Sequence, residues 1–303
     1  AAGMGSSILW GSILWGSILA FVADTSAQPA PDITSWVDVR LHHTTNLSSA
    51  RLTAQQGSLA VLLPHTEASL LRLSPNETLT LGHRPHDVFA AQGNATLYAR
   101  ALHLAPARNA TWTLEVPPGT SRTYAGRLRI RRDSSGLQLV NRVPLSEYVA
   151  SVVASEYGLD DGAGARAMAV AARTYALFSS TPSEDHYDHV DGTASQVYKG
   201  RRAITEASRN AAQATRGEVL TYNGTPIQAV YFSSSGGHTA NNEDVWTGSD
   251  PLPYLRGKDD PYDRPSPKHR WTARVNRRAL LQALSLQQGG SVNGFLLGER
   301  TPS

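Results

Sequence analysis

The chain has 303 residues, 40% hydrophobic and 17% charged, which is the composition of a folded globular protein rather than a disordered one. Its net charge of +3 is small and dispersed, with arginine far outnumbering lysine (Lys199, Lys258 and Lys268), so no nucleic-acid partner is expected and a weakly anionic polymer suits the charge at least as well. Cysteine is absent, which excludes thiolate catalysis, disulfide staples and Cys-based zinc sites, and suits an oxidising compartment.

Residues 5–22, GSSILWGSILWGSILAFV, are apolar, uncharged and repetitive, and the small residues ADTSAQPA follow. Thr25-Ser26-Ala27 fits a signal-peptidase site, so residues 1–27 are expected to be a signal-peptide-like segment that directs export; the alternative is an uncleaved membrane anchor. No Met opens the chain and no basic stretch precedes the apolar run, so the chain is expected to begin inside its reading frame. After a Pro/Ser linker, residues 36–116 alternate in short apolar runs punctuated by Gly, Pro and Asn, which predicts a β-rich region over 28–118 with no catalytic cluster.

Tyr124–Ile130 and Gly136–Val140 read as a hairpin, in which a basic strand carrying Arg127 and Arg129 meets an apolar one. Pro144 suits the first position of a helix running to Tyr157, with Gly158 as its stop. A second helix is predicted over about 165–180, with Ala165, Ala169, Ala172 and Ala176 on one face that another element can approach closely. A third covers about 201–216, and Asn223-Gly224 then joins two strands as a hairpin. A short helix at about 276–287 precedes the tail, 289–303, which ends without a closing element and reads as truncated.

One position on the first helix breaks its own pattern. Val149, Val152 and Val153 form a buried stripe, and the next member is Glu156. A carboxylate on such a stripe is expected to be desolvated, which raises its pKa, and a Glu tuned to roughly 6–7 can hold a proton for a leaving group. The spacing fits equally well a structural ion pair with Arg166 or Arg173. Asp160 and Asp161 follow in a Gly-rich loop, and a mechanism with a single carboxyl group is the more economical one.

Two further clusters carry chemistry. The run Ser233-Ser234-Ser235-Gly236-Gly237-His238 lacks the G-x-S-x-G elbow of a hydrolase and reads as a strand-end turn forming a glycan-binding lip; a serine hydrolase built on Ser235 and His238 is the lesser alternative. His186, Asp188, His189 and Asp191 lack the usual helical metal spacing, so they read as a solvated polar loop; no metal is expected, His186 being the only candidate ligand.

The runs VPLSEYVASVVASEYG and ARAMAVAARTYAL, then YDHVDGTASQVYKG, then NAAQATRGEVLTYNGTPIQAVYFSSSGGHTANNEDVW, occur in an order that resembles the SpoIID/LytB family across about residues 124–257. The resemblance implies an α+β fold: a SpoIID-like catalytic core over 119–288, with few helices packed on antiparallel strands, preceded by the small β-rich region. It also implies a lytic transglycosylase acting on peptide-free peptidoglycan glycan strands, with Glu156 at the catalytic position. Arg173, Thr174, Tyr175, Gln196, Tyr198, Ser233, Ser234, Ser235, Gly236, Gly237 and His238 would be its substrate-binding residues. The LytB branch implies the alternative, a non-catalytic cell-wall-binding enhancer of a cell-wall amidase. Some members hold zinc through two cysteines; Val190 and Ser195 occupy those places here, so no cofactor is expected. Arg166 and Met168 also replace the Lys and Gln that are usual in the second helix.

Overall fold

The computed structural model describes residues 36–66, 68–158, 161–179 and 187–288. The signal-like segment, the linker, Asp160, His186 and the tail from 289 lie outside the described residues.

Twelve strands come first. They are β1 (Trp36–Arg40), β2 (Ser49–Gln56), β3 (Leu59–Leu62), β4 (Ser69–Leu73), β5 (Thr78–His83) and β6 (Val88–Gln92), followed by β7 (Ala95–Ala99), β8 (Ala101–Pro106), β9 (Thr111–Val116), β10 (Thr120–Ala125), β11 (Arg127–Asp133) and β12 (Gly136–Pro144). Period-two burial orients them: Val37 and Val39 in β1, and Ala50, Leu52 and Ala54 in β2, point inward between more exposed neighbours. After β12 come α1 (Leu145–Glu156), α2 (Gly162–Phe178), β13 (His189–Val190), α3 (Glu206–Ala214), β14 (Thr221–Tyr222), β15 (Thr225–Pro226), α4 (Asn242–Val245) and α5 (Arg277–Gln288). This is the α+β architecture expected.

The long strands form two sheets, ordered β13-β1-β12-β11-β8-β3-β4 and β10-β9-β2-β5-β6-β7. They pack face to face, β5 against β12 and β6 against β8 and β11. The first sheet takes strands from both sides of residue 118: β1 pairs antiparallel with β12 (Trp36↔Pro144) and parallel with β13 (Val39↔His189). In β12 every residue from Gly136 to Asn141 is buried, without alternation. The strand packs against β5 of the second sheet, and Asn141 is bonded to the buried Tyr198, so its centre does not reach water.

α1, α2 and α3 pack against one another. Ala165, Ala169, Ala172 and Ala176 are all buried in that contact layer, as the alanine face of α2 predicts. Asp161 caps α2, its carboxylate accepting from the backbone N–H groups of Ala163 and Gly164. Thr205 and Ser208 close a capping box on α3.

Two local expectations are corrected. Pro144 is not the first helical residue; it ends β12 with an extended backbone (ψ 136°), and α1 begins one residue later. The hairpin at Asn223-Gly224 forms, with both residues at positive φ, but its ladder is only two residues long on each side. The backbone turns back on itself where Val230 N–H donates to the Gln228 carbonyl, and Leu220 N–H donates to Thr174 Oγ1 on α2 instead of to a partner strand.

Candidate functional site

α1 stops at Glu156 because Tyr157 is extended (φ −117°, ψ 98°). The valine stripe is buried as predicted, but Glu156 is not: it leaves the helix at its last turn and is exposed. The desolvation expected from the stripe is absent because the stripe ends where the helix does. A carboxylate here faces the negative end of the helix dipole, so α1 gains no stability from it. No ion pair joins Glu156 to an arginine among the described residues. Its one hydrogen bond there is from Val197 N–H to Oε1, at 2.9 Å.

The segment 196–201 runs alongside α1 and is stitched to it along its length. Arg201 pairs with Glu147 at 2.9 Å, and Ser151 Oγ donates to the Gly200 carbonyl and accepts from Lys199 N–H. Gly200 sits at φ 78°, and a Cβ there would lie 2.4 Å from the Thr123 carbonyl oxygen, so only glycine fits. This seam delivers Gln196 and Val197 to the end of α1.

Gln196 is fully buried and bridges two tyrosines: Tyr148 Oη donates to its Oε1 (3.1 Å), and its Nε2 donates to Tyr231 Oη (3.0 Å). With one lone pair taken by Gln196, Tyr231 retains its own O–H as a donor. Burial raises the pKa of both phenols, and the negative charge of Glu156 adds to the rise at each, so both stay protonated. Tyr231 was not among the residues singled out from sequence. It lies two residues before Ser233, inside a run that carries the family resemblance, and nothing in its spacing separates it from an ordinary strand aromatic.

Behind this network stands a column of rings. Trp112, Tyr124, Tyr198, Tyr148 and His189 contact one another in succession, with centroids 4.9 to 6.0 Å apart, and Tyr175 closes on His189 at 6.1 Å. Tyr198 is buried, donating from Oη to Asn141 Oδ1. His189 is buried against the Ala176 carbonyl, and that burial lowers its pKa.

The residues proposed to touch substrate therefore divide. Arg173 is 3% exposed and donates to the Ala212 and Glu218 carbonyls and to Thr215 Oγ1, pinning α2 to the end of α3. Thr174 is fully buried, bonded to the Val170 carbonyl and Leu220 N–H. In this structure these two, with Tyr198, frame the site from inside. Gln196 is also buried, but one bond away from the half-exposed Tyr231. Tyr175 is half-buried beside the ring column.

The Ser-Gly turn differs from the expected lip. Its donors face the protein's own carboxylates: Ser234 Oγ, Ser235 N–H and Gly236 N–H all donate to Asp263, and Ser235 Oγ donates to Asp260. His269 Nδ1 completes the shell around Asp263 at 2.8 Å. Among the described residues His238 Nδ1 is enclosed without a hydrogen-bond partner, and Ser235 Oγ bonds to Asp260 and Gly237 N–H rather than to His238. In the Ser234–Asp263–His269 array the carboxylate, not the imidazole, adjoins the hydroxyl, which is the wrong order for a triad.

The polar loop before α3 is structural. Asp188 accepts from Asp38 N–H, and Asp191 accepts from His42 N–H, His43 and Arg122. Val190 and Ser195 are neighbours, Val190 N–H donating to Ser195 Oγ at 3.2 Å. That pair does not fit a zinc ion: valine offers no ligand atom, and the serine hydroxyl already accepts a backbone bond.

Fold and site together define an α+β protein with an exposed carboxylate at a helix end, over a buried tyrosine–glutamine–tyrosine bridge. Residues 133–222 match the SpoIID family model, described as stage II sporulation protein. The chain is 32% identical over 217 residues to stage II sporulation protein D of Bacillus subtilis, covering 66% of this chain and 60% of that protein. It is 35% identical over 182 residues to the protein of the same name from Bacillus amyloliquefaciens, covering 54% of this chain and 52% of that one. To an amidase enhancer of Bacillus subtilis it is 37% identical over 115 residues, 38% of this chain and 15% of the enhancer. The match to the SpoIID family thus covers residues 133–222, and the chain spans only part of the length of these relatives.

Proposed function

We propose that this protein is an exported peptidoglycan lytic transglycosylase that cleaves the bond between N-acetylmuramic acid and N-acetylglucosamine in peptide-free glycan strands. The observation that carries this reading is Glu156: an exposed carboxylate, held by one backbone N–H, at a helix end that gains nothing structural from it. A bound glycan would cover Glu156 and remove it from water, supplying the desolvation that the free protein lacks. Protonated Glu156 donates to the glycosidic oxygen as the C1–O bond breaks. The same carboxylate then takes the proton of the muramic 6-hydroxyl as that oxygen bonds to C1, closing a 1,6-anhydro ring. No water and no second carboxyl group take part. Tyr231, held as a donor by Gln196, is suited to orient a sugar oxygen beside Glu156.

The test is digestion of peptide-free glycan strands followed by mass spectrometry. Anhydro-muramyl products that vanish in Glu156→Gln are the expected result. A second reading rests on the likeness to the amidase enhancer: a non-catalytic wall-binding protein that accelerates an amidase. Faster amidase turnover in a mixed assay, with no anhydro products from the protein alone, would replace the first reading with the second. Export is proposed from the apolar run at 5–22; among the described residues no helix is long and apolar enough to cross a membrane.

A further inference from the structure

The first sheet has a face turned away from the core. Leu128 and Ile130 of β11 are buried with Leu102 and Leu104 of β8 on the side of the second sheet, so their alternate neighbours point the other way. On β11 those neighbours are Arg127, Arg129 and Arg131, a column of guanidinium groups at a step of about 7 Å, two residues of extended chain. Arg127 stands directly opposite Arg142 on β12, a like-charge pair that weakens a ladder. Only part of this charge is offset. Arg129 pairs with Asp38 at 3.0 Å, Arg142 approaches the same carboxylate at 3.8 Å, and Arg40 pairs with Asp133 at 2.7 Å. Asp188 adjoins Asp38 at the β1 margin. Among the described residues no carboxylate pairs with Arg127, with Arg131 or with Arg72, which lies across the sheet on β4 opposite Ala60. Between the column and Arg72 the floor is small: Ala101 and Ala105 on β8, and Ala60 on β3. His103 lies in that floor, opposite Arg129. Burial, then the charges of Arg129, His65, Arg127 and Arg131, lower its pKa, so the imidazole senses the cations around it. The whole is a shallow trough three strand spacings wide, about 14 Å, with arginines on both rims.

We infer that this trough is a docking surface for a linear polymer of phosphodiesters lying along the strands, with Arg127 and Arg131 on one rim and Arg72 on the other. Guanidinium forks match phosphate oxygens and bind them through charge-assisted hydrogen bonds. Among the described residues the floor has no unpaired carboxylate to accept from sugar hydroxyls, so the surface reads repeated charge rather than a glycan. It also has neither tyrosine nor tryptophan among those residues on which a base could stack, so a base-free polyol phosphate suits it better than a nucleic acid. Arginines set opposite one another, a cost to the ladder, are then accounted for by the anion that comes to lie between them. Such attachment is independent of the reaction at Glu156.

The experiment mixes the full chain with fluorescently labelled poly(glycerol phosphate) and follows anisotropy as salt is raised. Three unpaired arginines that each neutralise one phosphate give a slope of log affinity against log salt of about −2, a loss of roughly 15-fold between about 50 and 200 mM. Arg127→Gln with Arg131→Gln is expected to weaken binding about tenfold and to shrink that slope to about −0.7. The melting temperature should not fall, because the like-charge pair with Arg142 is relieved. Removing equal charge in and beside the second sheet, with Arg51→Gln and Arg84→Gln, is expected to change affinity by less than about twofold. Bound polymer should also raise the His103 pKa, read from its ring-proton shifts, as the phosphates offset the arginines. Affinity that ignores Arg127 and Arg131, or that falls as much with the second-sheet pair, overturns the inference. So does a single-stranded oligonucleotide of equal charge that binds as tightly, or a phosphatidylglycerol vesicle that binds where the polymer does not.

Discussion

Two carboxylates at the two ends of one stretch of chain are treated in opposite ways. Glu156 is exposed and accepts one hydrogen bond among the described residues, from Val197 N–H. Asp263 is enclosed and accepts from a serine hydroxyl, two backbone N–H groups and a histidine ring. Between them the chain passes through Tyr231 and the Ser-Gly turn. A carboxylate whose lone pairs are all taken holds structure together; one left half-used at a surface is available for chemistry. The contrast assigns the two groups different work, and it corrects the simpler idea that a serine-rich turn beside a histidine must be the reactive element.

The largest effect expected from this contrast is at Glu156. Glu156→Gln should lower anhydro-product formation by about 10²–10⁴-fold, the usual contribution of a positioned acid/base. It should leave the thermal midpoint almost unchanged, since Gln can still accept from Val197 N–H. Asp263→Asn should do the reverse, lowering stability of the 259–270 loop while leaving Glu156 chemically intact. If Glu156→Gln instead unfolds the protein and Asp263→Asn is silent, the assignment of the two carboxylates is backwards.

Arg173 sharpens the same distinction from within. Its guanidinium is enclosed and donates to two backbone carbonyls and the Thr215 hydroxyl. Arg173→Ala would strand those acceptors, and a loss of about 3 kcal/mol of stability is expected from charged hydrogen bonds of this kind. Denaturant unfolding measures it. A variant of normal stability that binds glycan poorly would return Arg173 to the substrate-binding set.

Much of this was legible in the chain. Period-two alternation gave the β-rich region, and the Val149–Val152–Val153 spacing and the alanine face gave α1 and α2, because these patterns are local and fix which face is buried. Glu156 stood out by breaking a stripe, although the stripe rule assumed a helix that continues, and α1 ends at that residue. What could not be read depends on pairing between distant residues. Trp36 opposite Pro144, which runs one sheet across the boundary drawn at 118, leaves no trace in either segment alone. The shell of Asp263 joins residues 6 to 29 positions apart, and a serine that faces an internal carboxylate is written the same way as one that faces a sugar.

The protonation of Asp263 provides a smaller test. The His269 hydrogen bond, then those from Ser234, Ser235 N–H and Gly236 N–H, hold its carboxyl below its usual range against the opposing effect of desolvation. A depressed carboxylate stabilises the fold fully above the unfolded value, about 3.9, and that stabilisation is lost as pH falls through the lower folded value. The amide resonances of Ser235 and Gly236 should therefore hold steady from neutral pH and move only below about pH 3.9, and Asp263→Asn should abolish the titration. Movement of those resonances at neutral pH would show that a group other than this carboxylate controls the turn.

The smallest change is expected from Ser235→Ala. The side chain makes two hydrogen bonds within the loop, to Asp260 and from Gly237 N–H, so its loss should cost about 1 kcal/mol at most at so exposed a turn. Cleavage of glycan should fall by less than threefold, because Ser235 reaches Glu156 only through the turn and Tyr231. A serine nucleophile would give the opposite result, with all activity lost in Ser235→Ala and retained in Glu156→Gln. The geometry weighs against that outcome on two independent grounds: the Ser235 hydroxyl already donates to a carboxylate, and among the described residues the His238 Nδ1 that would serve the imidazole chemistry has no partner to orient it. Measured side by side, the two substitutions separate the carboxylate that is free to react from the turn that is held closed by carboxylates of its own.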